Sequence, residues 1–492
     1  MATHVAEDGP RYLQVAHLIE GQISRGVLQV GDRVPSVRSL SQQQDVSIST
    51  VLQAYFWLEN HGYIEARPQS GFYVKVPFAD LAPEPSFVGT ENAPTQVGIA
   101  KILHEIMAAS NGAANFPLGA GAAGPELYPT HKLNQIITQV LRKNPHHSSG
   151  YDFPPGAEPL RRQIARHAMK FGCEFSPTDI VITSGGMEAL NLSLRAVAGP
   201  GDIVAIESPT FFGVLQVIES LGLRALEIPT HPRTGMQLDQ LESAIKRHPV
   251  KACVVMTHCH NPLGYVLTDE YKRDLVNLLT RHDVPLIEDD VYGDLVYGNK
   301  RPVPAKIFDR KGLVLLCSSF SKVMAPGYRI GWVHGGRYRN EIERLKFITT
   351  VASSSLQQLV IASFLESGGY DRYVRRLRIC FANQVQTVSR AITKYFPKST
   401  RVSRPQGGYL LWVELPKGIS AMKLYEQALA QHVFVLPGPM FSPTRAFKNY
   451  IRINCSSPWS DQFDRALLTV GRICFQLTES RSRNGAPAAD QR

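Results

Sequence analysis

Between residues 179 and 319 five short apolar runs follow one another: DIVITSG, DIVAIES, ACVVMTH, PLIEDDVYG and LVLLCSS. Each is rich in Val, Ile and Leu and alternates little, as a strand covered on both faces does. Stretches of helical period, such as Met187–Ala198 and Glu270–His282, lie between them. That alternation restricts this part of the chain to an α/β domain with a largely parallel sheet. Ligands in such sheets collect beyond the carboxyl ends of the strands. The polar residues that follow each run are therefore the place to look for chemistry.

The last run leads into SSFSKVMAPGYRIGW, Ser318–Trp332. A lone lysine in a Ser/Gly turn is usually a solvated cation. Lys322 has ordered partners around it. The hydroxyls of Ser319 and Ser321 and the guanidinium of Arg329 suit a phosphate dianion. A lysine held still and partly deprotonated suits an aldehyde. Pyridoxal 5′-phosphate is the cofactor that carries both groups. The earlier runs add to the set. Gly186 and Met187, in SGGM after the first run, offer backbone N–H groups and a helix N-terminus to an anion. Phe211, in SPTFFG, can stack on a flat ring, although a core position is the commoner fate of a phenylalanine. Asn261, in HNPLG, can donate to a phenolate oxygen. Asp289 can pair with a pyridinium nitrogen, and Tyr292 can hydrogen-bond the ring's 3′-oxygen.

The first 76 residues read differently. Tyr12–Arg25 has helical period through Leu13, Ala16, Ile19 and Ile23. Val37–Gln44 is a short helix. Ser49–His61 is another, striped by Val51, Ala54, Tyr55 and Leu58 and stopped by Gly62. YIEARPQSGFYV reads as two strands around a turn with Gly71 at its tip. Helix–turn–helix with a β-wing lays one helix in the major groove of DNA. Ser47 and Ser49 can cap that helix and donate to phosphates. Residues 1–76 hold six cations and seven anions, so the net charge of +11 resides downstream.

GDRVPSVRSL, VSISTVLQAYFWLENHGYI and the wing SGFYV resemble the winged-helix domain of GntR-type bacterial transcription regulators. The resemblance assigns Arg38 and Thr50 to phosphate or base contacts and Gly71 to minor-groove approach. It also shows a departure: the family usually carries arginine where Ile48 stands. Downstream, YDFPPGAEPLRRQIA, ITSGGMEAL, SPTFFG, HNPLG, IEDDVYGDL, SSFSKVMAPGYRIGW, RPQGGYLLWVEL and YIRINCS resemble, in order, fold-type I aminotransferases near the α-aminoadipate/kynurenine branch. That resemblance implies that Lys322 is the Schiff-base lysine and Asp289 the pyridinium partner. It places Asn261 and Tyr292 beside the 3′-oxygen and Phe211 on the ring. Gly186, Met187, Ser319, Ser321 and Arg329 would hold the phosphate. Tyr151 would reach the phosphate of a second subunit, which implies a homodimer, and Arg452 would clamp an α-carboxylate. Leu263 stands where the family has threonine, and Met187 where a polar side chain is common.

A winged helix joined to an aminotransferase-like domain resembles the MocR subfamily. The expected organisation is a winged helix-turn-helix at 1–76, a proline-rich extended linker at 77–98, a PLP domain at 99–477 and a disordered tail at 478–492. Two functions follow from the resemblance. One is a regulator that binds a double-stranded DNA operator and senses a small amine, amino acid or B6 vitamer. The other is a working aminotransferase with an auxiliary winged helix. Seven scattered cysteines without CxxC spacing point to a reducing, cytoplasmic setting and no zinc. Met1–Pro10 lacks the pattern of a secretory leader. No run of about 18 apolar residues is present, so no membrane span is expected.

Overall fold

The computed structural model describes residues 10–25, 27–28, 32–60, 63–67, 71–74, 81–90, 92–110, 115–298 and 300–484. The chain divides into two compact units, with the boundary between Leu81 and Ala82.

The first unit contains α1 (Arg11–Ser24), α2 (Val37–Gln43), α3 (Ile48–Asn60), β1 (Ile64–Arg67) and β2 (Gly71–Val74). The strands pair antiparallel, Ile64 opposite Val74 and Arg67 opposite Gly71. The stripe expected on α3 is buried throughout: Val51, Ala54, Tyr55 and Leu58 are fully covered. On α1 the expected Ala16, Ile19 and Ile23 are buried, and the stripe differs at one position. Val15 is buried and Leu13 is half-exposed, because Val15, Ala16, Ile19 and Ile23 form the face turned toward the core. Tyr55 donates to Pro35 O at 2.7 Å, which ties α3 to the chain entering α2. Ser47 caps α3: its hydroxyl accepts from Thr50 N–H at 3.1 Å. Ser49 is inside the helix and does not cap it. Gly71 has φ +100°, so the backbone favours glycine there, and a Cβ would have to push the exposed Arg33 guanidinium, at 3.2 Å, slightly aside. Gly62, the expected helix stop, lies outside the described residues.

The second unit is built on a nine-stranded sheet. Its strands in chain order are β3 (Thr95–Gln96), β4 (Ile180–Thr183), β5 (Ile203–Ser208), β6 (Arg224–His231), β7 (Gly235–Met236), β8 (Val250–Val255), β9 (Leu286–Asp289), β10 (Val314–Ser319) and β11 (Gly331–His334). The spatial order is β3-β6-β5-β8-β9-β10-β11-β4, with β7 beside β6. Strands β6, β5, β8, β9 and β10 are mutually parallel. β11 runs against β10, and β4 runs against β11. Every residue of β4, β5, β9, β10 and β11 is buried, which explains the continuous apolar runs in the sequence. A second, antiparallel sheet contains β12 (Arg401–Val402), β13 (Leu410–Glu414), β14 (Leu436–Pro437) and β15 (Tyr450–Asn454), in the order β12-β13-β15-β14.

Two segments differ from expectation. The linker expected at 77–98 is bound to the second unit from Ala82 onward. Extended, proline-rich chain leaves its backbone groups unpaired, and here the domain satisfies them. Ala82 N–H donates to Thr393 Oγ1 at 3.1 Å and Ser86 N–H to Glu414 Oε2 at 2.7 Å. Pro83 O accepts from Val402 N–H, and β3 pairs with β6. The tail expected to be disordered from Thr478 instead continues the helix Asp461–Asn484, and residues 485–492 lie outside the described residues.

The core of the first unit is small, so it has little to lose. Leu58→Ala removes a fully buried side chain and is expected to cost about 2–5 kcal/mol. Calorimetry of the full chain should show the transition of the first unit lowered and that of the second unchanged.

Candidate functional site

The carboxyl ends of β4, β5, β8, β9 and β10 all open on one edge of the large sheet. Asp289 is the last residue of β9 and lies beside Cys317 of β10. It is buried, and its Oδ1 has no hydrogen-bond partner. Burial pushes its pKa up to about 7, although the Val291 N–H and Lys322 oppose this. Behind it runs a chain of buried charge. His258 Nδ1 lies 2.7 Å from Asp290 Oδ1, and Lys272 Nζ lies 3.0 Å from His258 Nε2. Arg301 bridges Asp290 and Asp294, the latter at 2.7 Å. Burial alone would raise the Asp290 pKa, but Arg301 and His258 bring it below the ordinary value. Asp290 is therefore already paired, and Asp289 is the carboxylate left for a ligand.

Lys322 follows β10. Its Nζ donates to Gly121 O at 2.7 Å. Burial, Arg452 and Arg329 lower its pKa to about 8 against the pull of Asp289. A substantial neutral fraction at physiological pH makes it a usable nucleophile. Tyr292 is buried, its hydroxyl has no hydrogen-bond partner of normal geometry, and its ring lies 5.9 Å from Lys322 Nζ.

A concave polar cluster lies beside these residues. Gly185, at φ +87°, turns the chain into the helix Gly186–Val197. A Cβ on Gly185 would sit 2.3 Å from Arg329 Nη2, so the guanidinium occupies the space glycine leaves. Arg329 donates to Ser321 Oγ at 3.2 Å and to Ser184 O at 3.1 Å. Ser319 Oγ donates to Ser321 Oγ at 3.0 Å. Helix N-terminus, guanidinium and two hydroxyls thus face one small volume, the pattern of a phosphate site. Phe211 and Met187 meet close by. A Cβ on Gly213 would lie 2.3 Å from the Phe211 ring and 2.8 Å from Met187 Sδ.

Arg452 comes from the middle of β15 and is 1% exposed. It donates to Asn261 Oδ1 at 3.2 Å and to Gly119 O at 2.8 Å. Its Nε has no partner, and no carboxylate pairs with it among the described residues. The rings of Phe212 and Phe441 flank it at 5.6 and 5.5 Å. Burial lowers its pKa to about 10. A buried cation without a counter-ion is costly, and a ligand carboxylate would relieve the cost.

Asp289, Lys322, Tyr292, Asn261 and Arg452 thus form one connected site, with the Arg329 cluster at its side. Tyr151 is apart from them. It is 74% exposed and stacks on Phe153 at 5.5 Å. The DNA-contact candidates lie in the first unit. Arg38 is exposed in the first turn of α2. Ser47 Oγ is 2.8 Å from both Ser49 Oγ and Thr50 Oγ1.

Some contributors were not read from the sequence. The loop Gly119–Ala122 supplies carbonyls to Arg452, Lys322 and Asn454. Lys346, 1% exposed, pairs with Glu188 at 2.7 Å, and Glu188 accepts from Ser184 N–H, holding the turn at Gly185. A lysine in an amphipathic helix gives no signal of this kind.

Comparisons with known proteins agree with this geometry. Residues 127–469 match the family "Aminotransferase class I and II", and residues 11–74 match "Bacterial regulatory proteins, gntR family". The chain is 40% identical over 468 residues to the uncharacterized HTH-type transcriptional regulator YdcR of Escherichia coli (strain K12), covering 94% of this chain and 98% of that one. The uncharacterized HTH-type transcriptional regulator YjiR of the same organism is 36% identical, with 95% and 100% covered. Among solved structures, LysN, the α-aminoadipate aminotransferase of Thermus thermophilus complexed with N-(5′-phosphopyridoxyl)-L-leucine, aligns with a TM-score of 0.71. Identity there is 25%, with 77% of this chain and 95% of that one covered.

The raised Asp289 pKa has a stability consequence in the cofactor-free protein. A carboxyl whose pKa is raised on folding favours the folded state at low pH. That contribution is lost as pH rises from about 4 toward and through about 7. Asp289→Asn removes the buried ionisation. It should raise the melting temperature of the cofactor-free protein at pH 8 by several degrees and by roughly a third as much at pH 5. Differential scanning fluorimetry at the two pH values measures this.

Proposed function

The chain belongs to the MocR-type architecture of GntR regulators, a winged helix followed by a class I and II aminotransferase domain, and on that premise we propose that it is a PLP-dependent, DNA-binding transcription regulator that senses a small amine or amino acid. Its cofactor is pyridoxal 5′-phosphate. Bound, the cofactor supplies an aldehyde that takes primary amines and a ring that draws electrons from them.

The residues fit that group. Lys322 Nζ is the attachment point. Asp289 Oδ1, buried and unpartnered, would accept a hydrogen bond from the protonated ring nitrogen. Tyr292 would donate its hydroxyl to the 3′-oxygen. Asn261 already accepts from Arg452 through Oδ1, which leaves Nδ2 to donate to the same oxygen. Phe211 covers the ring. Gly186 and Met187, through backbone N–H groups, and Ser319, Ser321 and Arg329 hold the phosphate. Arg452 takes the effector's carboxylate.

Arg452 is the observation that carries the effector reading: a buried cation without a carboxylate, in a chain that also bears a winged helix. A homodimer would bring in Tyr151. That residue lies with Phe153, Phe347 and Ile348 in an exposed apolar patch, and Phe153 and Phe347 have ring centroids 6.0 Å apart. In the first unit Arg38, Ser47, Ser49 and Thr50 would contact the operator, with Gly71 starting the wing strand. No helix among the described residues is long and apolar enough to cross a membrane, and a DNA-binding protein of this kind would work in the cytoplasm.

The lowered Lys322 pKa, beside Arg452, also favours a second reading, a working aminotransferase. Sequencing the genomic fragments retained by the holoprotein, beside an amino-transfer assay, separates the two. A regulator retains a defined fragment. Background retention with sustained transfer after deletion of residues 1–76 supports the enzyme. Lys322→Ala should abolish borohydride-fixed labelling of the protein by pyridoxal 5′-phosphate. Arg38→Ala should weaken binding of the retained fragment and flatten the salt dependence of log affinity by about 0.9, the share of one phosphate contact.

A further inference from the structure

The outward face of α3 carries no cation. Its sequence, ISTVLQAYFWLEN, contains neither Lys nor Arg. Val51, Ala54, Tyr55 and Leu58 turn inward and are fully buried. One flank of that buried stripe begins with Ile48, 50% exposed, and continues four residues apart through half-buried Leu52 to Phe56, 52% exposed. Ser49 and Gln53 form the exposed stripe alongside it. The acid of this helix, Glu59, is engaged elsewhere, accepting from Ala66 N–H at 2.8 Å. Cations lie off the helix, at exposed Arg38 and at Arg33 beside Gly71.

Charge beside the helix and an apolar residue at its leading end are complementary to a duplex groove. Phosphates line its rims, and the thymine C5-methyl is its apolar feature. A recognition helix reads bases with its first residues. Guanine is read best by bidentate arginine or lysine, which this helix lacks. Leaving an exposed isoleucine at that position costs hydration of its side chain, which a methyl contact removes. We infer that Ile48 reads a thymine methyl in the major groove, and that the operator presents A·T pairs beneath the start of α3. Gln53, little more than one turn on, carries the amide that pairs with adenine N6 and N7. This inference rests on the DNA-binding reading above and adds the base that is read.

The test starts from duplexes selected by the full-length holoprotein from a random pool. Each selected duplex is remade with thymine replaced by deoxyuridine, which removes the methyl and keeps the pairing. Wild type should bind the uridine duplex about fourfold more weakly for each methyl contacted, the factor that follows from burying one carbon. Ile48→Ser should bind both duplexes equally. Ile48→Arg should select guanine at the same position. Ile48 is half-exposed, so neither variant threatens folding.

Equal wild-type affinity for the thymine and uridine duplexes overturns this inference and leaves DNA binding intact. So does an Ile48→Ser protein that keeps the thymine preference. If Ile48→Ser instead reduces self-association and leaves DNA affinity unchanged, the stripe covers a second copy of the chain and the inference is wrong. A pool from which nothing is retained removes the DNA reading and this one with it.

Discussion

The second unit is organised by an unpaired carboxylate. Asp289 ends a fully buried parallel strand, and its Oδ1 has no partner. Such an atom is tolerated where a ligand completes it. The surrounding charges make the selection. Asp290, next along the chain, is held by His258 and Arg301, and Glu288, on the other side, accepts from Thr257 and from the N–H groups of Ala305 and Lys306. Of these three consecutive acids only Asp289 keeps an oxygen in reserve. A protonated pyridine nitrogen suits that oxygen in charge and in hydrogen-bonding sense.

The same space holds two cations that cannot both be comfortable in a low dielectric. Burial lowers the proton affinity of both Lys322 and Arg452, and Arg452 lowers that of Lys322 further. Carbonyls of the loop at Gly119 and Gly121 satisfy part of their hydrogen bonding but none of their charge. An amino acid brings a carboxylate for Arg452 and an amine of the same kind as the Lys322 side chain. The site is therefore poised for a ligand with both groups, whether or not turnover follows.

The sequence made the strand order of the chemistry legible because buried parallel strands leave long apolar runs, and the polar residues after them stand out. Lys322, Asp289, Asn261 and Arg329 were singled out in that way. Support residues were not. Lys346 and Glu188 are 158 positions apart, and neither has a local pattern that announces the pair. The linker was read from its prolines as an extended, semi-rigid spacer. Its unpaired backbone groups instead bind the domain, a tertiary effect that composition does not encode. On α1, Val15 took the place of Leu13 at the first turn, where both are apolar and the period through Ala16, Ile19 and Ile23 admits either.

The central claim is that one chain links a cofactor-and-effector site to DNA. Linkage makes that claim reciprocal: whatever factor an amino-acid effector applies to DNA affinity, DNA must apply to effector affinity. The direct measurement is effector affinity of the holoprotein, followed by the cofactor's absorbance, with and without a saturating selected duplex. The account predicts a shift of about 5-fold or more, matched by the effector's own effect on duplex affinity. Identical effector affinity in the two states would show two independent activities on one chain and contradict it.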